Sequence, residues 1–355
     1  MVYNKNGKIV IIDFEENHYD YVISVYEYLY NQGFRNMLIY LNQGIYTNFI
    51  KELKFTNDHI DLKKVKVYRN KNIYRNIFLD LIREKPDKIY INTILYGKDL
   101  IIYSLLLFFT NLKIIITVHN VNAFFDYPIK KKYFINPKSL IIKLLITFIC
   151  NRTEKFIVLN EYIKEYAKNF TKKDIEVLPF KLPINNKNII NFKELYKKNM
   201  IKIIIPGKVN DERRDIFNLL EIIEKVLNKR KDLLFIFLGE LDKKNTKKIS
   251  QRKFIFFKKN FDNNIVWFEN YVSQEKFNAY MIQSNIILAP LNKEIRVYGG
   301  SKELYGISKA SGAEFDAYKY GKKLVIPYFY KIANTSVKVM YYRDYNDLLK
   351  IILEI

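Results

Sequence analysis

The chain has 355 residues, of which 49% are hydrophobic, and a formal net charge of +23. That length is enough for two domains of ordinary size with ample core. Cys150 is the one cysteine, which excludes an internal disulfide and fits a reducing compartment. No apolar run reaches the roughly twenty residues of a membrane span, and the opening Met-Val-Tyr-Asn-Lys-Asn-Gly leads toward a strand, not into a signal peptide.

Taken in order, 8–14 (KIVIIDF) reads as a buried parallel strand, followed by the polar loop Glu15-Glu16-Asn17-His18. An amphipathic helix is expected over 20–32, with Val22, Val25, Tyr26 and Leu29 on one face and Gly33 as its stop. Strands follow at 36–40, 88–91, 113–118 and 155–159, with helices around 98–109 and 138–150. Repeated alternation of strand and helix means an α/β domain with a parallel sheet. The polar, asparagine-rich stretch 182–200 reads as irregular. It places an N-terminal domain at 1–185, a linker at 186–200, a C-terminal domain at 201–340 and a terminal helix beyond it. In the second domain the expected strands are 202–206, 233–239, 264–268, 286–290 and 323–327, with helices at 216–229 and 275–283.

The stretch 305–327 (YGISKASGAEFDAYKYGKKLVIP) links the last two strands through a polar loop and a short helix, expected over 314–320. Ser311 and Glu314 have the S-x-x-E spacing of a capping box, and Gly321 sits where a C-terminal glycine belongs. A helix start with Gly312 inside it presents free N–H groups suited to a phosphate, with Lys309 just upstream and Asp316 able to accept from sugar hydroxyls. The same spacing also describes a capped surface helix with a solvated lysine.

Polar candidates cluster just after strands: Glu15 to His18, His119-Asn120, Lys208 to Arg214, and Lys309 to Asp316. In parallel sheets those carboxyl ends are where ligands bind. His119 follows an apolar run, so it reads either as a general base or sugar contact or as a satisfied structural histidine. His18 stands near a helix start, while His59 lies in a polar stretch. Pro206-Gly207-Lys208 with Arg213-Arg214 is the strongest basic cluster at a strand end. It is either a phosphate-binding loop or a solvated loop paired with Asp211, Glu212 or Asp215. No metal-site spacing, P-loop, G-x-S-x-G or G-x-G-x-x-G occurs. The positive charge fits polyanions, or it follows from a composition rich in Lys, Asn, Ile, Tyr and Phe. Its densest knots are Lys130-Lys131-Lys132 and Lys247-Lys248. Without a recognisable binding motif, no nucleic-acid partner is expected.

These residues together resemble the GT-B type glycosyltransferases, in particular the group related to glycosyltransferase family 4. In the first half the resemblance lies in Lys85-Pro86-Asp87, Thr117-Val118-His119-Asn120, Phe156 to Asn160 and Val177-Leu178-Pro179. In the second half it lies in Gly207-Lys208 with Arg213-Arg214, and in Asp316-Ala317 with Gly321. Lys309-x-Ser311-Gly312 resembles a variant with YGxxKxSG. The first acid of the family's E-x7-E falls on Ser308, and the proline of its G-x-P falls on Lys323. The resemblance implies two Rossmann-like domains facing across a cleft. It also implies metal-independent, retaining transfer of a sugar from a nucleotide-diphosphate sugar, with no other cofactor, to a glycan or lipid-linked hydroxyl in bacterial surface polysaccharide or glycoconjugate synthesis. On this reading Gly207, Lys208, Arg213, Arg214, Lys309, Ser311, Gly312 and Asp316 bind the donor nucleotide and diphosphate, and His119 is catalytic. His18, Asn120 and Glu314 contact sugar or acceptor, and the protein is cytoplasmic, resting peripherally on an anionic membrane through apolar helices and Lys130 to Lys132. Ser308 sustains the alternative, a catalytically idle relative that binds a sugar or a partner.

Overall fold

The run Ile9–Asp13 is buried along its whole length, as a strand must be when helices cover both faces of a parallel sheet. It is β1 of a computed structural model that describes residues 7–15, 19–56, 60–69, 73–94, 98–131, 134–179, 200–333 and 336–355. Then come α1 (Tyr19–Asn31), β2 (Met37–Asn42), α2 (Gln43–Thr56), β3 (Val65–Tyr68), α3 (Ile73–Glu84), β4 (Lys88–Ile91), α4 (Lys98–Phe109), β5 (Lys113–Thr117) and α5 (Val121–Phe125). A short hairpin of β6 (Lys130–Lys131) and β7 (Phe134–Ile135) leads to α6 (Pro137–Arg152), β8 (Thr153–Val158), α7 (Glu161–Ala167) and β9 (Asp174–Val177). Seven strands form one sheet in the order β3-β2-β1-β4-β5-β8-β9, with every pairing parallel.

The second series runs β10 (Ile201–Pro206), α8 (Ile216–Lys229), β11 (Leu233–Glu240), α9 (Lys248–Asn260), β12 (Ile265–Phe268), α10 (Gln274–Gln283), β13 (Ile286–Leu288), β14 (Glu294–Arg296), β15 (Lys302–Leu304), α11 (Gly312–Lys319), β16 (Lys323–Pro327), β17 (Val339–Tyr342) and α12 (Tyr345–Glu354). Its sheet has six parallel strands in the order β12-β11-β10-β13-β16-β17. Helix α8 buries Leu219, Leu220, Ile223 and Leu227 on one face, the spacing of an amphipathic helix on a sheet. Helix α12 adds Leu348 and Ile352 to the same core, so the C-terminal helix is part of this layer rather than an appendage to it.

The chain divides into two compact units, Met1–Lys181 with Val297–Glu303, and Leu182–Arg296 with Leu304–Ile355. The expected linker, 186–200, lies outside the described residues except for Met200. The return of 297–303 to the first unit has no counterpart in the sequence reading. There the Glu303 carboxylate accepts from the Ala123 N–H at 2.7 Å and the Lys302 carbonyl takes the Asn122 amide at 2.8 Å.

In each sheet the chain starts in the middle, works outward to one edge, and crosses back to fill the other side. Strand order therefore reverses between β1 and β4 in one sheet and between β10 and β13 in the other. At such a point neighbouring loops diverge and leave a crevice at the carboxyl ends of the strands.

Candidate functional site

At the reversal in the first unit, two polar residues close apolar strands. Asp13 ends β1 and Asn92 follows β4, and both are fully buried. The Asn92 amide donates to Asp13 Oδ2, and the Glu15 N–H donates to Asp13 Oδ1 at 2.9 Å. Burial outweighs these bonds and pushes the Asp13 carboxyl up to about 7. Asn92 Oδ1 has no partner among the described residues.

His119 stands two residues beyond β5, half-buried. Its Nε2 lies 2.9 Å from the Asn92 carbonyl oxygen and 3.5 Å from the Thr93 hydroxyl. A carbonyl can only accept, so Nε2 carries a proton, and in the neutral ring Nδ1 is the acceptor. The Tyr21 ring meets the imidazole edge-on at 5.2 Å. Behind this layer the Tyr90 hydroxyl bonds Thr117 Oγ1 at 2.8 Å. The imidazole is thus held in one tautomer by a main-chain atom, whose own residue is clamped to Asp13. Asn120 caps α5 with its backbone. His18 and His59 lie outside the described residues.

At the second reversal, Gly207 leaves β10 with a φ of 86°, in the left-handed region that favours glycine. Gly239 lies against it so tightly that a Cβ there would run into the Gly207 carbonyl. The loop that follows is braced from within. The Arg214 guanidinium donates to the carbonyls of Pro206, Lys208 (2.8 Å) and Gly207 (3.3 Å). Arg214 is 6% exposed, and burial pushes its basicity down to about 10. The arginine expected to meet a diphosphate is therefore turned inward, because three loop carbonyls need a donor there. Arg213 faces solvent instead. Lys208 Nζ is half-exposed and lies 3.1 Å from the Asp242 carboxylate. The Asn245 amide, with Lys208 beside it, holds that carboxyl down at about 2.

The loop after β13 is fastened to this one. The Asn292 N–H donates to the Arg213 carbonyl at 2.9 Å, and its side chain reaches the carbonyls of Asp211 and Glu212. Further along, Ser311 caps α11, its hydroxyl accepting from the Ala313 N–H at 3.3 Å. The helix begins at Gly312, two residues earlier than the sequence suggests, and a Cβ on Gly312 would meet nothing within 4 Å. Gly321 closes it with φ 63°, while Gly321 and Lys322 donate to the carbonyls of Tyr318 and Ala317.

The capping box is relayed rather than direct. The Ser311 N–H donates to the Tyr330 hydroxyl at 2.9 Å, and that hydroxyl donates to Glu314 Oε2 at 2.6 Å. Glu314 is 3% exposed and also accepts from the Ala333 N–H. It is thus turned into the fold rather than toward solvent, because Tyr330 stands where the box would close. Asp316 is half-buried on the same helix and Lys309 half-buried in the loop before it. Ser308, where the family's first acid would fall, is fully buried, and its hydroxyl takes the Leu304 N–H at 2.8 Å.

The structure therefore gathers Gly207, Lys208 and Arg213 on one side of the second reversal and Lys309, Ser311, Gly312 and Asp316 on the chain that leaves the other. In the first unit it adds Asp13, Asn92 and Thr93 to His119. Their signal was present in the sequence: an apolar run closed by a polar residue, IVIID and KIYIN, on the two strands that flank the reversal.

No family model matches the chain, and no curated protein matches it in sequence. Solved structures do match its fold. A glycosyltransferase from Rickettsia africae ESF-5 aligns with TM-score 0.59 at 15% identity, over 99% of this chain and 88% of that one. Sucrose-phosphate synthase from Thermosynechococcus elongatus aligns with TM-score 0.58 at 13% identity, over 98% of this chain and 89% of that one. A UDP-GlcNAc 2-epimerase from Neisseria meningitidis, bound to UDP-GlcNAc, aligns with TM-score 0.56 at 12% identity, over 98% and 90%. The fold is the α/β, two-sheet GT-B fold.

Proposed function

We propose that the protein is a glycosyltransferase that moves a sugar from a nucleotide-diphosphate sugar to a hydroxyl of a glycan or lipid-linked acceptor, in surface polysaccharide or glycoconjugate synthesis. The observation that carries the reading is the second reversal. There a glycine-built loop with Lys208 and Arg213 is fastened through Asn292 to the chain that leads to the open amino end of α11. Two cations and the amino end of a helix opened by Gly312 suit a diphosphate, whose charge grows as it leaves. Lys208 would exchange Asp242 for a phosphate oxygen, Lys309 would add charge, and Asp316 would hold the ribose. The reading uses no metal, since these groups take the leaving charge. Retention follows from the resemblance.

In the first unit, His119 is assigned to the reacting sugar or acceptor, with Asn120 beside it, and the main-chain carbonyl of Asn92 fixes its tautomer. The acceptor class brings with it a peripheral contact with an anionic membrane on its cytoplasmic side. The neighbour that binds a nucleotide sugar by its name, the epimerase with UDP-GlcNAc, supports the donor class.

The test is turnover. Incubated with UDP-, GDP- and ADP-linked sugars, the protein should release one nucleotide. His119→Ala should abolish release while nucleotide binding persists, and EDTA should leave it unchanged. Binding without turnover would favour the idle relative, a reading that Ser308, buried and bonded to Leu304, keeps in play.

A further inference from the structure

Helices α4 and α6 of the first unit are apolar on more than one side. The inner faces are buried, as at Leu107 and Ile146. The outer faces are apolar too: Ile101, Leu105, Phe108 and Phe109 on α4 stand about half to more than two-thirds exposed, as do Ile141 and Leu144 on α6, with Phe108 at 70% and Leu144 at 61%. Arg152 joins the helices, donating to the carbonyls of Leu107 (2.8 Å) and Thr110 (2.6 Å) at the end of α4. A helix that is apolar all round is ordinarily buried or in lipid, and large apolar side chains gathered on a surface mark an interface.

The charges that the two helices themselves carry at this surface are basic, with one exposed acid, Asp126, beside them. Asp99 is the one acid in either helix, and it is buried, accepting the Tyr74 hydroxyl. The bases of α6 are Lys138, Lys143 and Arg152. Lys138 is exposed at the amino end, and Lys143, one turn from Leu140, pairs with Asp126 at 3.5 Å. Such a surface complements anionic headgroups around an apolar interior. Two copies of it facing each other would bring lysine toward lysine.

We propose that the outer faces of α4 and α6 form an interfacial surface that lies on an anionic lipid bilayer. It lies on the membrane and does not cross it: α4 has 12 residues, about 18 Å of helix, and no helix among the described residues is long and apolar enough to span. This deepens the membrane contact of the reading above and gives it a place other than the lysine run 130–132. It also stands or falls apart from the nucleotide chemistry, because vesicle capture is measured with no nucleotide present.

Co-sedimentation with phosphatidylcholine vesicles, with and without phosphatidylglycerol, tests it. The wild type should pellet with the anionic vesicles. Phe108→Ser/Phe109→Ser and Ile141→Ser/Leu144→Ser, all at exposed positions and checked for an unchanged thermal midpoint, should each bind more than about tenfold more weakly. Lys138→Glu/Lys143→Glu should erase the preference for anionic lipid. A wild type that ignores both vesicles overturns the proposal, and so do apolar variants that bind as well as wild type. Sedimentation equilibrium that shows these variants only splitting a dimer also overturns it, in favour of a second copy.

Discussion

Replacing Asp13 with Asn removes a carboxylate that the first unit buries completely. Burial lifts its pKa from 3.8 to about 7. A carboxyl whose pKa is raised on folding is bound more tightly to its proton in the folded state, so stability falls as pH rises from about 3.8 to about 7 and stays low above it. At about 1.4 kcal/mol for each pH unit, the full penalty is of order 4 kcal/mol above neutral pH and roughly half that near pH 5. Asn imitates the protonated acid. Its oxygen can keep the Glu15 N–H, and the Asn92 amide can turn over so that Oδ1, which has no partner among the described residues, takes the new N–H. The Asp13→Asn protein should therefore unfold at a higher temperature than wild type near pH 8, by about 10 °C for a unit of this size. The advantage should shrink by about half near pH 5. Thermal or urea denaturation of both proteins across this range gives the difference curve. A difference that is flat with pH, or that grows toward acid, would refute the reasoning, because it would mean that Asp13 titrates alike in the folded and unfolded chain.

Other substitutions separate bracing from binding. Arg214→Met leaves the carbonyls of Pro206, Gly207 and Lys208 without their donor and should cost about 3 kcal/mol in urea denaturation. Arg213→Ala, at an exposed side chain, should change stability by less than about 0.5 kcal/mol while weakening nucleotide binding. Tyr330→Phe breaks the relay between Ser311 and Glu314 and leaves a buried carboxylate short of a donor. A loss of about 2 kcal/mol is expected, with Glu314→Gln in the same background recovering part of it by thermal denaturation. Gly239→Ala forces a methyl group into the Gly207 carbonyl, so it should lower the midpoint by more than about 2 kcal/mol or prevent folding altogether.

The parallel sheets were legible because their central strands are continuous apolar runs closed by polar residues, as in KIVIID and KIIIP. Elements outside that pattern were not read. Helix α2 starts on the residue after β2, with no loop to announce it, because the Asn42 side chain accepts from the Ile45 N–H at 2.8 Å and serves as its cap. Helix α9 (KISQRKFIFFKKN) is crowded with lysine and reads as polar chain. Strand β17 (VMYY) is an edge strand, half-exposed, with little alternation. The site divides in the same way. Glycines, lysines and the capped helix after strands are local signals and could be seen. The inward turn of Arg214, the diversion of Glu314 to Tyr330 and the clamp of Glu303 on α5 depend on partners 6 to 180 residues away, and no spacing rule reports them. The resemblance named the right fold, yet it assigned Arg214 and Glu314 to a ligand when the fold itself needs them.

The most direct measurement is nucleotide binding at the second reversal, by isothermal calorimetry with UDP, GDP and ADP on wild type, Lys208→Ala and Arg213→Ala. The account expects one diphosphate to bind the wild type, and each variant, folded as well as wild type, to bind it about tenfold or more weakly. Equal binding by all three proteins, or none by any of them with any nucleotide, would contradict it.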